Sequence, residues 1–241
     1  MKSHLPALLR ILFTLGLISG FSNPGVAQDA ITPFEASYSL FVSGMHVANS
    51  ELSLAQSGPF WRWRLSAKSR GLYAMLSPKK PYSETTFSIA DGLYRIDNLL
   101  IDDGDGERKV ETARFDWQKK QVEIQRKNRL SAEVLQNEIY DYLGINWLTA
   151  LMSKHGIDST QFNFYYKGRL IKSTLKRIAD TRLEFSGKEI KTRAYEQTST
   201  QSKSSLRFYY AAENPLIPLK IEAFKSGEQT SVLLLQKFIQ H

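Results

Sequence analysis

Nucleophilic chemistry has few places to sit in this sequence. It contains no cysteine, no G-x-S-x-G turn and only four histidines. His4 falls in an apolar leader and His241 is the last residue, which leaves His46 and His155 as candidate bases for a serine nucleophile. His46 sits at a predicted hairpin. His155 sits at a predicted helix end, where the macrodipole favours an imidazolium without any catalytic role. Two scattered histidines do not make a closed zinc site. Asp102-Asp103-Gly104-Asp105-Gly106-Glu107 offers the hard oxygen ligands that calcium needs but lacks the full loop pattern. Asp-Gly steps between strand patterns also make hairpin turns, so no metal is assigned. There is no glycine-rich phosphate loop, and no cofactor is implied. Carboxylates are numerous, but no spacing singles out a pair for glycoside hydrolysis. An envelope hydrolase working through carboxylates is the weakest reading, no catalytic residue is assigned, and a non-enzyme is expected.

The stronger signals concern binding. Arg62, Arg64, Lys68 and Arg70 interleave with Trp61, Trp63, Leu65 and Ala67. Interleaved cations and aromatics resemble a polyanion surface, but alternation sends the two sets to opposite faces of a strand. A basic face for anionic polymers and an ordinary solvated face both fit. Lys167, Arg169, Lys172, Lys176 and Arg177 extend such a surface only if the fold brings the two stretches together. After Arg70 the alternation breaks, and Leu72, Tyr73, Met75 and Leu76 follow in one short segment ending at Pro78. This is either a flexible apolar lip over a cavity, a use that suits methionine, or a short helical connection packed on the core.

Strands must position these residues. Phe34, Ala36, Tyr38, Leu40 and Val42 alternate with polar residues, the period of a half-buried strand. Gly44 permits a turn into a second strand to Gln56, and Gly58-Pro59 breaks before a third from Phe60 to Arg70. Further strands are predicted over 82–89, 93–101, 108–117, 121–127, 162–166, 170–179, 182–185, 189–198, 204–210, 219–224 and 231–238. Asn137 to Lys154 is the exception: Ile139, Leu143, Trp147 and Leu151 recur every four residues, a helix stripe that Gly156 stops. The expected fold is mainly β, an antiparallel curved sheet, half-barrel or barrel, with this one amphipathic helix covering it.

The chain has 241 residues and a formal charge of +8. Residues 1–27 order as Lys2 and Arg10, an apolar run from Ile11 to Ile18, the breakers Gly20 and Pro24, and the small exit Gly25-Val26-Ala27. That is the order of an export signal, with an apolar run short of the ~20 residues that span a bilayer. The expectation is a single β-rich domain over 28–241 in the periplasm, without a lipid anchor, since no cysteine exists to carry one. Export removes nucleic acid as a partner. Without Lys2 and Arg10 the charge is +6, compatible with anionic lipid headgroups or acidic polymers.

Five pieces carry a resemblance. They are Phe34-x-Ala36-x-Tyr38-x-Leu40 with Gly44, Val47 and Ala48; Gly71-Leu72; Phe115-Asp116-Trp117; Tyr140-Asp141; and Asn214-Pro215-Leu216-Ile217-Pro218-Leu219-Lys220-Ile221-Glu222. In this order they resemble the exported bacterial proteins of domain of unknown function 3108. Gly144 stands where that family often has serine. The resemblance implies a mostly antiparallel β fold, similar in plan to the half-barrels of periplasmic lipoprotein carriers, and supplies no catalytic residues. Two binding modes follow. In the first, a concave apolar face shelters a lipid or other amphipathic ligand, with Trp61, Trp63, Leu72, Tyr73, Met75, Leu76 and Trp147 as candidate contacts. In the second, Arg62, Arg64, Lys68 and Arg70 bind or scaffold anionic envelope polymers or an envelope protein.

Overall fold

A computed structural model describes residues 31–241 apart from 77–79, 91, 105–109, 128, 136 and 137, and leaves the side chains of Leu72 and Leu76 outside the description. The expected export signal lies outside the described residues, as does the second half of the acidic loop.

The first half of the chain forms β1 (Phe34–Val42), β2 (Met45–Ser57), β3 (Phe60–Ser69), a one-and-a-half-turn helix α1 (Gly71–Leu76), β4 (Tyr82–Ala90), β5 (Leu93–Asp102), β6 (Val110–Asp116), β7 (Gln121–Arg126) and β8 (Arg129–Val134). The second half forms β9 (Ile139–Tyr140), α2 (Gly144–His155), β10 (Ser159–Tyr165), β11 (Leu170–Phe185), β12 (Lys188–Ser199), β13 (Ser204–Ala211), β14 (Asn214–Lys225) and β15 (Glu228–Gln240). All fifteen strands join one sheet, in the order β8-β7-β6-β5-β4-β3-β2-β1-β15-β14-β13-β12-β11-β10-β9. Every ladder is antiparallel except β9 with β10. Hairpins make this sheet, and local residues make the hairpins. Ser43-Gly44, Ser186-Gly187 and Ser226-Gly227 each place two successive residues at positive φ, as the two-residue I′ turn requires.

The sheet does not close into a barrel, since no ladder joins β8 to β9. Its two halves meet instead through side chains. An aromatic series runs from Phe34 to Trp63, Phe87, Tyr94, Tyr140 and Phe162, with successive ring centroids 5.6, 6.3, 4.5, 5.4 and 5.7 Å apart. The Tyr94–Tyr140 step crosses from β5 to β9. Nearby, Arg126 on β7 pairs with the buried carboxylate of Glu111 at 2.9 Å and donates to the Lys167 carbonyl at 2.9 Å.

Three sequence expectations need correction. The helix begins at Gly144 rather than Asn137, because Ile139 and Tyr140 pair with Asn163 and Phe164 as a strand. The segments 170–179 and 182–185 are one sixteen-residue strand, β11, whose register shifts between Arg177 and Ala179. The last proline-containing strand begins at Asn214, with its irregularities near Pro218. The helix stop at Gly156 is as read: φ is 64° and its N–H reaches the Met152 carbonyl. α2 buries Ile145, Leu148, Thr149 and Met152 and is tied to β13 and β12 by the Tyr210 hydroxyl on Asn146, 2.8 Å, and by Arg193 on Ser153.

Candidate functional site

A groove of about 710 Å³ lies at the end of β2 and β3, where Lys80 and Pro81 lead into β4. The pleat explains its lining. Asn49 and Glu51 on β2 face Lys68 and Ser66 on β3 across the ladder, and Ser66 faces Tyr82 on β4. All five lie on the face opposite the buried Leu52 and Trp63. Arg70 follows the end of β3 and Lys80 precedes β4. The Ala67 N–H on the Pro81 carbonyl, 3.0 Å, holds the two segments together. Gly104 packs behind Lys80 so closely that a Cβ there would lie 2.7 Å from the Lys80 nitrogen.

The groove is electrostatically lopsided. Lys68, Arg70 and Lys80 line it against one carboxylate, Glu51, which already accepts the Ser37 hydroxyl at 2.9 Å. Among the described residues no acid pairs with any of the three cations within 4 Å. Three exposed, unpaired cations with hydroxyl and amide donors beside them form an anion-accepting surface. Among the described residues no group of three or more His, Asp or Glu could hold a metal.

Arg62 and Arg64 are different from Lys68 and Arg70. The register places Glu84 opposite Arg64, and its carboxylate takes Arg64 Nε at 2.8 Å and Arg62 Nε at 3.5 Å. The Tyr82 hydroxyl donates to it at 2.5 Å. Partial burial opposes ionisation of Glu84, but the hydrogen bonds from Tyr82 and Arg64 and the nearby arginines together hold its pKa below the ordinary value.

Residues 34–230 match the family of proteins of unknown function DUF3108. The chain belongs to the DUF3108 family. No curated protein matches its sequence. Its fold is similar to a beta-barrel-like protein of domain of unknown function DUF1849 from Brucella abortus, with 11% identity, a TM-score of 0.54, and 87% of this chain and 98% of that chain covered. A YmcC-like protein from Bacteroides fragilis aligns at 9% identity with a TM-score of 0.39 over 87% of this chain and 96% of that one.

In this DUF3108 protein the remaining sequence candidates fall in separate places. Trp63 is buried between the rings of Phe34 and Phe87, and Trp61 is half-buried beside it. Trp147 is half-buried on α2, where its indole nitrogen is buried without a hydrogen-bond partner. Tyr73 and Met75 project from α1, and the side chains of Leu72 and Leu76 lie outside the described residues. So the structure brings Lys68 and Arg70 together with α1, and leaves Trp61, Trp63 and Trp147 elsewhere. β2, β1, β15, β14, β13 and β12 separate β3 from β11 in the ladder, where Arg177 of the second basic stretch is already paired with Asp180 at 2.7 Å. His46 hydrogen-bonds Asn49 at 2.9 Å and stacks on Phe41. His155 is exposed at the end of α2.

Two partners were missed from sequence. Lys80 comes from a connection with no pattern of its own, and Asp141 sits buried at the start of α2. The Asp141 carboxylate accepts the Thr85 hydroxyl at 2.5 Å, the Gly144 N–H at 2.8 Å and the Tyr94 hydroxyl at 3.2 Å. These three contacts satisfy the buried carboxylate and tie the start of α2 to β4 and β5.

Proposed function

We propose that this protein is a non-catalytic binder of anionic ligands and that the groove of Lys68, Arg70 and Lys80 is its site. The observation that carries the reading is that these three cations line one groove with no acid among the described residues paired to them. Cations left unpaired at one spot raise the local concentration of anions, and hydroxyl and amide donors beside them fix an oxyanion in place. The reading takes residues 1–27 as an export signal and the periplasm as the compartment, where phosphate-bearing lipids and polymers supply suitable ligands. Shelter of an acyl chain against the inner face has less to support it: Phe34, Trp63, Phe87 and Tyr94 pack against one another at those positions.

The test is calorimetric titration with inorganic polyphosphate over a series of salt concentrations. Affinity should fall steeply as salt rises. The triple variant Lys68→Gln, Arg70→Gln, Lys80→Gln should lose about two orders of magnitude, near fivefold per cation. Unchanged binding by that variant, or no binding by the parent, overturns the reading.

A further inference from the structure

We infer that the groove and α1 together form a docking surface for an anionic lipid bilayer, a partner assignment that rests on the anion-binding reading above. The two features are one piece of chain. Arg70 lines the groove and the next residue opens α1. Their junction is fixed, with the Arg70 N–H on the Val47 carbonyl at 2.8 Å and the Ala74 N–H on the Arg70 carbonyl at 3.2 Å.

On this short helix Met75 is 81% exposed and Tyr73 49% exposed. Large side chains with apolar surface therefore stand in water on the helix that follows Arg70, one of three groove cations with no acid partner among the described residues. A soluble polyanion satisfies the cations but gives a thioether and a phenol ring nothing to bury against. A bilayer surface satisfies both. Phosphates at headgroup depth meet Lys68, Arg70 and Lys80, and Met75 and the Tyr73 ring enter the boundary between headgroups and acyl chains. Interfacial attachment sums a few inserted side chains with charge attraction.

Co-sedimentation with vesicles tests this, comparing phosphatidylcholine alone with equal parts of phosphatidylcholine and phosphatidylglycerol. The protein should sediment with the anionic vesicles and stay in solution with the neutral ones. The variant Tyr73→Ser, Met75→Ser should lose about tenfold in vesicle binding while its polyphosphate binding and its melting curve stay as in the parent. Binding of polyphosphate without binding to anionic vesicles overturns the membrane assignment and leaves the anion-binding site standing, with a soluble polyanion as its ligand. Vesicle binding unchanged in the variant overturns it as well. If polyphosphate binding is itself absent, the anion-binding reading falls and this inference falls with it.

Discussion

The Thr85 hydroxyl donates to the Asp141 carboxylate at 2.5 Å inside the protein core, joining β4 to the segment that starts α2. The same carboxylate takes the Tyr94 hydroxyl from β5 and the Gly144 N–H from the helix. One side chain thus links two strands of the first half of the sheet to α2. Removing it strands three donors, two of them on fully buried side chains. Asp141→Ala should cost about 2–4 kcal/mol, read by urea unfolding. A loss under ~0.5 kcal/mol would show that the network adds nothing.

The same residue predicts a pH effect. Burial raises the Asp141 carboxyl above the ordinary aspartate value, outweighing the hydrogen bonds from Thr85, Gly144 and Tyr94 that favour the anion. A raised folded-state pKa means that the folded protein holds this proton more tightly than the unfolded chain does. The contribution is fully present in acid, below the unfolded pKa of about 4, and is lost as pH rises through the higher folded value. Asp141→Asn has no such proton. The stability of the parent relative to Asp141→Asn should therefore fall as pH rises from about 4; a difference that grows with pH would contradict the burial argument.

Gly144 is tightly confined. A Cβ there would lie 2.8 Å from Asp141 Oδ1 and 2.8 and 2.9 Å from two carbons of the Tyr94 ring. Alanine adds about 1 kcal/mol of helix propensity, but overpacking against a buried, stacked ring costs about 1–3 kcal/mol. Gly144→Ala should be destabilising on balance, and Gly144→Ser no better. A thermal melt that rises with Gly144→Ala would mean that Tyr94 moves aside freely.

These contacts mark the limit of what the sequence reveals. Alternation located most strands, because one face of each meets the core and the other meets water. β8 escaped because its side chains are largely exposed on both faces, so no period of two appears. β9 is two residues long, and its apolar Ile139 and Tyr140 fit the helix stripe equally well. The basic stripe was visible on β3, but its division was not. Glu84 meets Arg62 and Arg64 only through the β3–β4 register, and Lys80 joins Lys68 and Arg70 only through the path of the chain into β4.

Arg126 reaches across the seam to the Lys167 carbonyl and pairs with Glu111 on the neighbouring strand of its own half. Its partner Glu111 has a side chain only 5% exposed, so removing the guanidinium leaves a buried carboxylate without its counter-charge. Arg126→Ala should cost about 3–5 kcal/mol. Arg182→Ala breaks a pair of similar length, 2.9 Å, in which both side chains are over half exposed. That change should stay within about 1 kcal/mol. Equal losses in the two variants would show that burial of Glu111 adds nothing to the worth of its pair.

Glu84 limits the cationic surface next to the groove. It neutralises Arg62 and Arg64 and holds the hydroxyl of Tyr82, a groove residue. Glu84→Gln keeps the shape and removes the charge, so polyphosphate should bind about threefold to tenfold more tightly at low salt, with the gain fading as salt screens it. Its pair is partly exposed, so the stability cost should stay near or below about 1 kcal/mol. Because the Glu84 pKa is held below the ordinary glutamate value, the parent protein keeps this brake through the neutral range. The affinity difference between parent and Glu84→Gln should narrow only in acid, as Glu84 itself becomes protonated. An affinity unchanged by Glu84→Gln at low salt would show that ligands engage Lys68, Arg70 and Lys80 without sensing the neighbouring arginines.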